Sequence, residues 1–169
     1  MKHLFIIFIF YIGIASAQNA KFNSQDISIT PLVDGTLLLP ENMENPPLVI
    51  IVGDSGPIDR NGNQQMVENN ALKFLAEGLY KNNIASFRYD KRIVKQMKRR
   101  AVNDKNYRFD DFIEDAVAIL AYFKKGKQFS KIYIIGHGQG SLVGMVAAQE
   151  GADGFISIGG AGQEIDDVI

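Results

Sequence analysis

Lys131–Glu150 reads KIYIIGHGQGSLVGMVAAQE, and this stretch decides the fold. Lys131 to Ile135 has strand character, with Ile132, Ile134 and Ile135 apolar, and it runs straight into Gly136-His137-Gly138-Gln139-Gly140. A helical run of small and apolar residues follows, through Leu142, Val143, Val146, Ala147 and Ala148. The flanking glycines let strand and helix approach closely, because no Cβ stands between them. Strand, sharp turn and helix together are one unit of an α/β architecture, and the flanking sequence supplies the others.

Upstream, Asp110 and Asp111 open a helix, with Glu114 three residues after Asp111 in a capping-box arrangement. Its expected buried face is Phe112, Ala116, Ile119, Leu120 and Phe123. Ile84–Tyr89 predicts a buried strand, and Asp90–Lys105 a charged connector. Leu48–Val52 is continuously apolar, the mark of a strand buried on both faces, as in a parallel sheet. It ends in the loop Gly53–Asn63, GDSGPIDRNGN, which is dense in turn residues. Asn69 or Asn70 is placed to cap a helix whose core face is Leu72, Leu75 and Leu79. Nearer the start, Asp26–Thr30 and Thr36–Leu39 read as short strands around Pro31 and Asp34-Gly35. Downstream, Phe155–Ile158 gives one more strand before Gly159-Gly160. From residue 48 the order βαβαβαβ predicts an α/β domain with a mostly parallel sheet and helices on both faces.

With 169 residues, the chain is long enough for one domain with a proper core. Residues 1–17 are set apart from it. Lys2 gives a positive start, Leu4–Ile14 is an apolar run, and Ala15-Ser16-Ala17 offers a cleavage site. This predicts a secretory signal peptide, a domain over residues 18–169, and an exported, periplasmic or secreted protein. The apolar run is shorter than the ~20 residues a bilayer needs, so no stable membrane anchor is expected after cleavage. The sequence has no cysteine, which excludes disulfides and thiol chemistry within it. A formal net charge of −1 gives no push toward nucleic acid.

Strand, Gly-flanked turn and helix are also the setting of the nucleophile elbow, G-x-S-x-G, whose middle side chain is held exposed above the sheet. Here the middle residue is Gly138. Four stretches, Ile51–Asn63, Ala85–Arg92, Phe109–Asp115 and Ile134–Ser141, together resemble the α/β-hydrolase superfamily. The branch is that of esterases, dienelactone hydrolases and serine aminopeptidases. A fifth stretch, Asp153–Ile169, is similar to the strand and linker after the elbow helix.

The resemblance implies an incomplete α/β-hydrolase fold, needing no cofactor and no metal. It places the nucleophile position at Gly138, with Gly136, His137 and Gly140 as the rest of the elbow. An oxyanion-hole N–H is implied at Asp54 or Ser55, and a second at Gln139. Complete relatives would take a small-molecule ester, amide or peptide. The family's histidine lies beyond two further strands, whereas the two histidines here are His3, within the signal segment, and His137. The family's acid also comes later, with Asp166 as a weak stand-in. Ser141 is the hydroxyl nearest the elbow, but it lies a turn into the helix, where bonding to backbone is expected. No serine triad can be assembled from these residues, so no acyl-transfer activity is expected. A non-catalytic ligand-binding protein and a truncated gene remnant are the alternatives.

Other patterns weigh less. Gly136–Ser141 nearly spells a dinucleotide fingerprint, but serine stands sixth and the next strand ends in glycines where an acid should bind ribose. Asp59, Asn61, Gly62 and Glu68 match calcium-loop positions, yet Pro57 stands first and has no side-chain oxygen. The basic run Lys91, Arg92, Lys95, Lys98, Arg99, Arg100 reads as a solvated loop at the site's rim. Asp110, Asp111, Glu114 and Asp115 read as helix-start charges favoured by the helix dipole.

Overall fold

The apolar run Leu48–Val52 forms β3, an inner strand whose five residues are all buried. Leu48, Ile50 and Val52 face one side of the sheet and Val49 and Ile51 the other, so alternation sends apolar side chains into two cores at once. These observations come from a computed structural model that describes residues 22–41, 43–100 and 107–161. The expected signal peptide at 1–17, His3 and Asp166 lie outside the described residues.

Six strands form one sheet in the order β1-β2-β4-β3-β5-β6. β1 (Ser24–Thr30) and β2 (Val33–Leu38) make an antiparallel hairpin, and β2 pairs antiparallel with β4 (Ala85–Tyr89). From there β4, β3, β5 (Ile132–His137) and β6 (Gly154–Ile158) run parallel. On one face α3 (Phe109–Gly126) and α4 (Gln139–Ala148) pack Ile119, Leu120, Phe123, Val143 and Ala147 against Leu37, Ile50 and Phe87. On the other, α1 (Ala71–Lys81) sets Leu72 and Ala76 against Leu38, Val49, Ile51 and Ile135. The sheet is mostly parallel with helices on both faces, as expected.

Two local expectations are corrected and a third is narrowed to one of its alternatives. The connector after β4 contains a helix, α2 (Arg92–Lys98), which has little apolar periodicity and is anchored by Val94 and by Lys95 pairing with Asp34. The capping box of α3 lies earlier than Asp111/Glu114. Arg108 is the N-cap, and its backbone N–H donates to the Asp111 carboxylate at 2.8 Å. At α1, Asn69 Oδ1 accepts the Ala71 N–H at 2.9 Å, while Asn70 adopts a left-handed φ of 54° and makes no side-chain cap bond.

Candidate active site

β3 runs on to β4 on one side, and the chain later returns to place β5 on its other side. The crevice beyond the carboxyl ends of β3 and β5 is therefore a topological switch point, where open α/β sheets take their ligands. The loop at Gly53 leaves β3 there, and the turn at Gly138 leaves β5.

Gly138 has φ 54° and ψ −122°, an elbow conformation strained for any residue with a side chain. Its N–H donates to Ile158 O of β6 at 2.9 Å, which fixes the turn against the neighbouring strand. A Cβ on Gly136 would fall 2.5 Å from Ser141 Cα, and one on Gly140 2.5 Å from Gly53 O. Both glycines are thus demanded by backbone packed on backbone. Ser141 is buried and its hydroxyl donates to Gly136 O at 2.8 Å, so it serves the turn and does not face the crevice.

The loop residue Asp54 turns its side chain into the elbow. Its Oδ1 accepts the Ser55 N–H at 2.7 Å and the Gln139 N–H at 2.8 Å. Of the two loop donors expected, Ser55 is the one whose N–H converges with that of Gln139. Asp54 itself contributes an acceptor. Burial opposes its ionisation, but the N–H groups of Gln139 and Ser55, with His137 and Lys91 nearby, hold its carboxyl below the ordinary value. His137 is half exposed, with Nδ1 3.8 Å from Asp54 Oδ2.

Lys91 closes the floor. Its ammonium donates to Asp54 O at 2.7 Å and to Gln139 Oε1 at 3.0 Å, and lies 4.6 Å from the centre of the Phe112 ring. Burial pulls it down to about 8. This corrects the reading of the basic run as solvated, since Lys91 and Arg92 are both inward. Arg92 makes a two-bond pair with Asp115, each bond 2.8 Å, and a third contact to Asp111 at 2.8 Å. Asp115, expected as a helix-start charge, is therefore a buried partner for that guanidinium.

The loop is held by Arg60. Its guanidinium donates to Asp90 at 3.2 and 2.9 Å, to Asp26 at 3.1 Å and to Thr36 at 3.0 Å, while its backbone N–H donates to Asp90 at 2.8 Å. Asp59 spends Oδ1 on the N–H groups of Asn61 and Asn63, at 2.8 and 2.9 Å, and so folds the turn that resembled a calcium loop. Among the described residues, no group of three or more His, Asp or Glu is placed to hold a metal ion. The turn at 136–141 is the tight strand-to-helix turn expected there, with Gly138 N–H spent on β6. The sequence reading missed Asp54's side chain, Lys91 and Arg60. Their signal was local only in part, as an acid after a buried strand and paired Asp-Arg and Asp-Lys steps.

No protein-family model matches the chain. It is 28% identical over 151 residues to Esterase EstD of Thermotoga maritima, an alignment covering 88% of this chain and 35% of that protein. The chain thus spans about a third of that relative's length. Among solved structures, a dienelactone hydrolase from Anabaena variabilis superposes with a TM-score of 0.58 at 19% identity, over 83% of this chain and 63% of that one. A putative hydrolase from Agrobacterium vitis gives 0.59 at 13% identity, over 88% and 58%. An α/β serine hydrolase without lid from Xanthomonas campestris gives 0.54 at 18%, over 82% and 61%. The described residues share the fold of the α/β hydrolases, over part of those proteins' length. Within that class the chain resembles the esterases and dienelactone hydrolases.

Proposed function

We infer that this chain is an exported, esterase-like α/β-hydrolase domain that does not itself carry out serine acyl transfer. One observation carries the reading: the elbow is formed at Gly138 with nothing on it to attack a carbonyl. The N–H groups of Ser55 and Gln139 converge as an oxyanion hole requires, a small-molecule ester being the ligand class that the similarity to esterases favours. Losing a nucleophile from such a site costs on the order of 10⁶ in kcat. The leader-like residues 1–17 support export.

The test is hydrolysis of p-nitrophenyl acetate and butyrate by the purified chain. No turnover above buffer is expected, and turnover that disappears in Ser141→Ala would overturn the reading. Export predicts that protein recovered from outside the cytoplasm starts at Gln18, and a full-length N-terminus there would count against it. A non-catalytic binding role is the second reading, favoured by the convergent N–H pair. Saturable heat of binding without turnover would support it.

A further inference from the structure

One residue takes both of the places an acyl substrate would need. The N–H groups of Ser55 and Gln139 come from different elements, a loop after β3 and the first turn of α4, yet both point at Asp54 Oδ1. Distances of 2.7 and 2.8 Å are those expected between oxyanion-hole donors and a developing oxyanion. The carboxylate also fills the space of an elbow side chain. A Cβ on Gly138 would lie 2.5 Å from Asp54 Oδ2 and nearer still to Oδ1 and Cγ.

The seat suits an anion from every side. α4 presents its amino end, Lys91 lies beneath with its ammonium on Asp54 O and Gln139 Oε1, and His137 stands at 3.8 Å. These are the charged groups facing Asp54 from the elements around it, and each is cationic or able to become so. Charge-assisted bonds from two backbone donors are worth more than neutral ones, so a free rotamer of Asp54 in water is the less favoured state.

We propose that Asp54 is a built-in ligand of the anion hole, a carboxylate that occupies the place of a substrate oxyanion and excludes external carboxylates. The proposal rests on reading Ser55 and Gln139 as the anion hole, and adds that the hole is occupied from within. A tethered carboxylate competes at a high effective concentration, so an external one must displace it before it can bind. Removing the carboxylate leaves both donors and Lys91 in place, and the hole then takes a small monocarboxylate such as acetate.

The experiment is a two-dimensional amide NMR titration of the whole chain with sodium acetate, against sodium chloride at equal ionic strength. In Asp54→Ala, the Ser55 and Gln139 resonances are expected to shift saturably with acetate, and in the wild type to stay still. Equal shifts in both proteins, or none in Asp54→Ala, would overturn the proposal. Asp54→Asn, of the same size, guards against a variant that fails to fold. Its Ser55 and Gln139 amide protons should move upfield together at neutral pH, as bonds to a charged acceptor are lost. Unchanged positions would equally sink the idea. Ester turnover by the wild type would refute the inactive reading without moving either amide, so the two failures are distinguishable.

Discussion

Asp54 and Gly138 share one volume: the carboxylate of the first lies where the side chain of the second would begin. Placing a serine at position 138 is therefore more than an insertion into empty space. Gly138→Ser carries roughly 1–3 kcal/mol of backbone strain and must also expel Asp54 from its two N–H donors. It is expected to lower the urea midpoint, and with no base among the described residues placed to take the hydroxyl proton it gains no esterase activity. Asp54→Ala should recover part of that loss, with a coupling of about 0.5–3 kcal/mol in a double-mutant cycle. Strict additivity would show that the two residues do not compete.

Lys91 makes stability depend on alkaline pH. Folded, its amine releases its proton near 8, whereas unfolded it holds it up to 10.5. Between these values the unfolded chain binds more protons, so stability rises with pH across the window. Below about 8 both states are protonated, and the burial penalty is at its full size. Relative to Lys91→Met, the wild type should gain roughly 2–3 kcal/mol between pH 7.5 and pH 10.5, read from urea midpoints. Parallel pH profiles for the two proteins would contradict the placement of Lys91.

Arg92 and Asp115 form an ion pair with side chains 13% and 5% exposed, away from water that could solvate a widow. Asp115→Ala removes the two-bond partner of the guanidinium and leaves its contact with Asp111, and a loss of about 3–5 kcal/mol is expected. The Arg108–Asp110 pair, 81% and 67% exposed, offers the contrast: Asp110→Ala should change stability by less than about 1 kcal/mol. Chemical denaturation of the two variants side by side decides the point.

Two glycine-to-alanine changes should have opposite signs. At Gly140 a Cβ meets Gly53 O at 2.5 Å and Val52 O closer still, both backbone atoms, so Gly140→Ala is expected to lower stability by about 1–3 kcal/mol or more, seen as a lowered Tm. Gly78 lies within α1, where an added Cβ meets nothing within 4 Å. Gly78→Ala should stabilise the protein by about 0.5–1 kcal/mol, seen as a raised Tm.

The central strands were legible because two-sided burial leaves a mark in one dimension. Leu48–Val52 matches β3 at both ends, and Ala85–Tyr89 falls within the run read as a strand. α2 was not legible, since it is held by ion pairs with distant residues, Lys95 on Asp34 and Arg92 on Asp111 and Asp115, and by one buried apolar residue, Val94. The elbow was legible as a turn, but its occupant was not. The bond from Gln139 to Asp54 spans 85 positions and that from Lys91 to Gln139 spans 48. No local pattern distinguishes a carboxylate facing inward across such a gap from one in water. Arg92 and Asp115 were misread for the same reason: each looks like a surface charge until the other, 23 residues away, is brought to it.

Arg60 joins the site loop to strands of unequal steadiness. β1, at the edge of the sheet, supplies Asp26, while Asp90, just past the interior strand β4, receives three of the bonds from Arg60, including that from its backbone N–H. Edge strands open first in thermal fluctuation, and interior ones open last. When β1 frays, Arg60 loses one contact of its cluster and keeps those that fix the loop's height above the sheet. The geometry at Asp54 is in this way buffered against the breathing of the β1 edge, and the loop should keep slow amide exchange after β1 has begun to exchange freely.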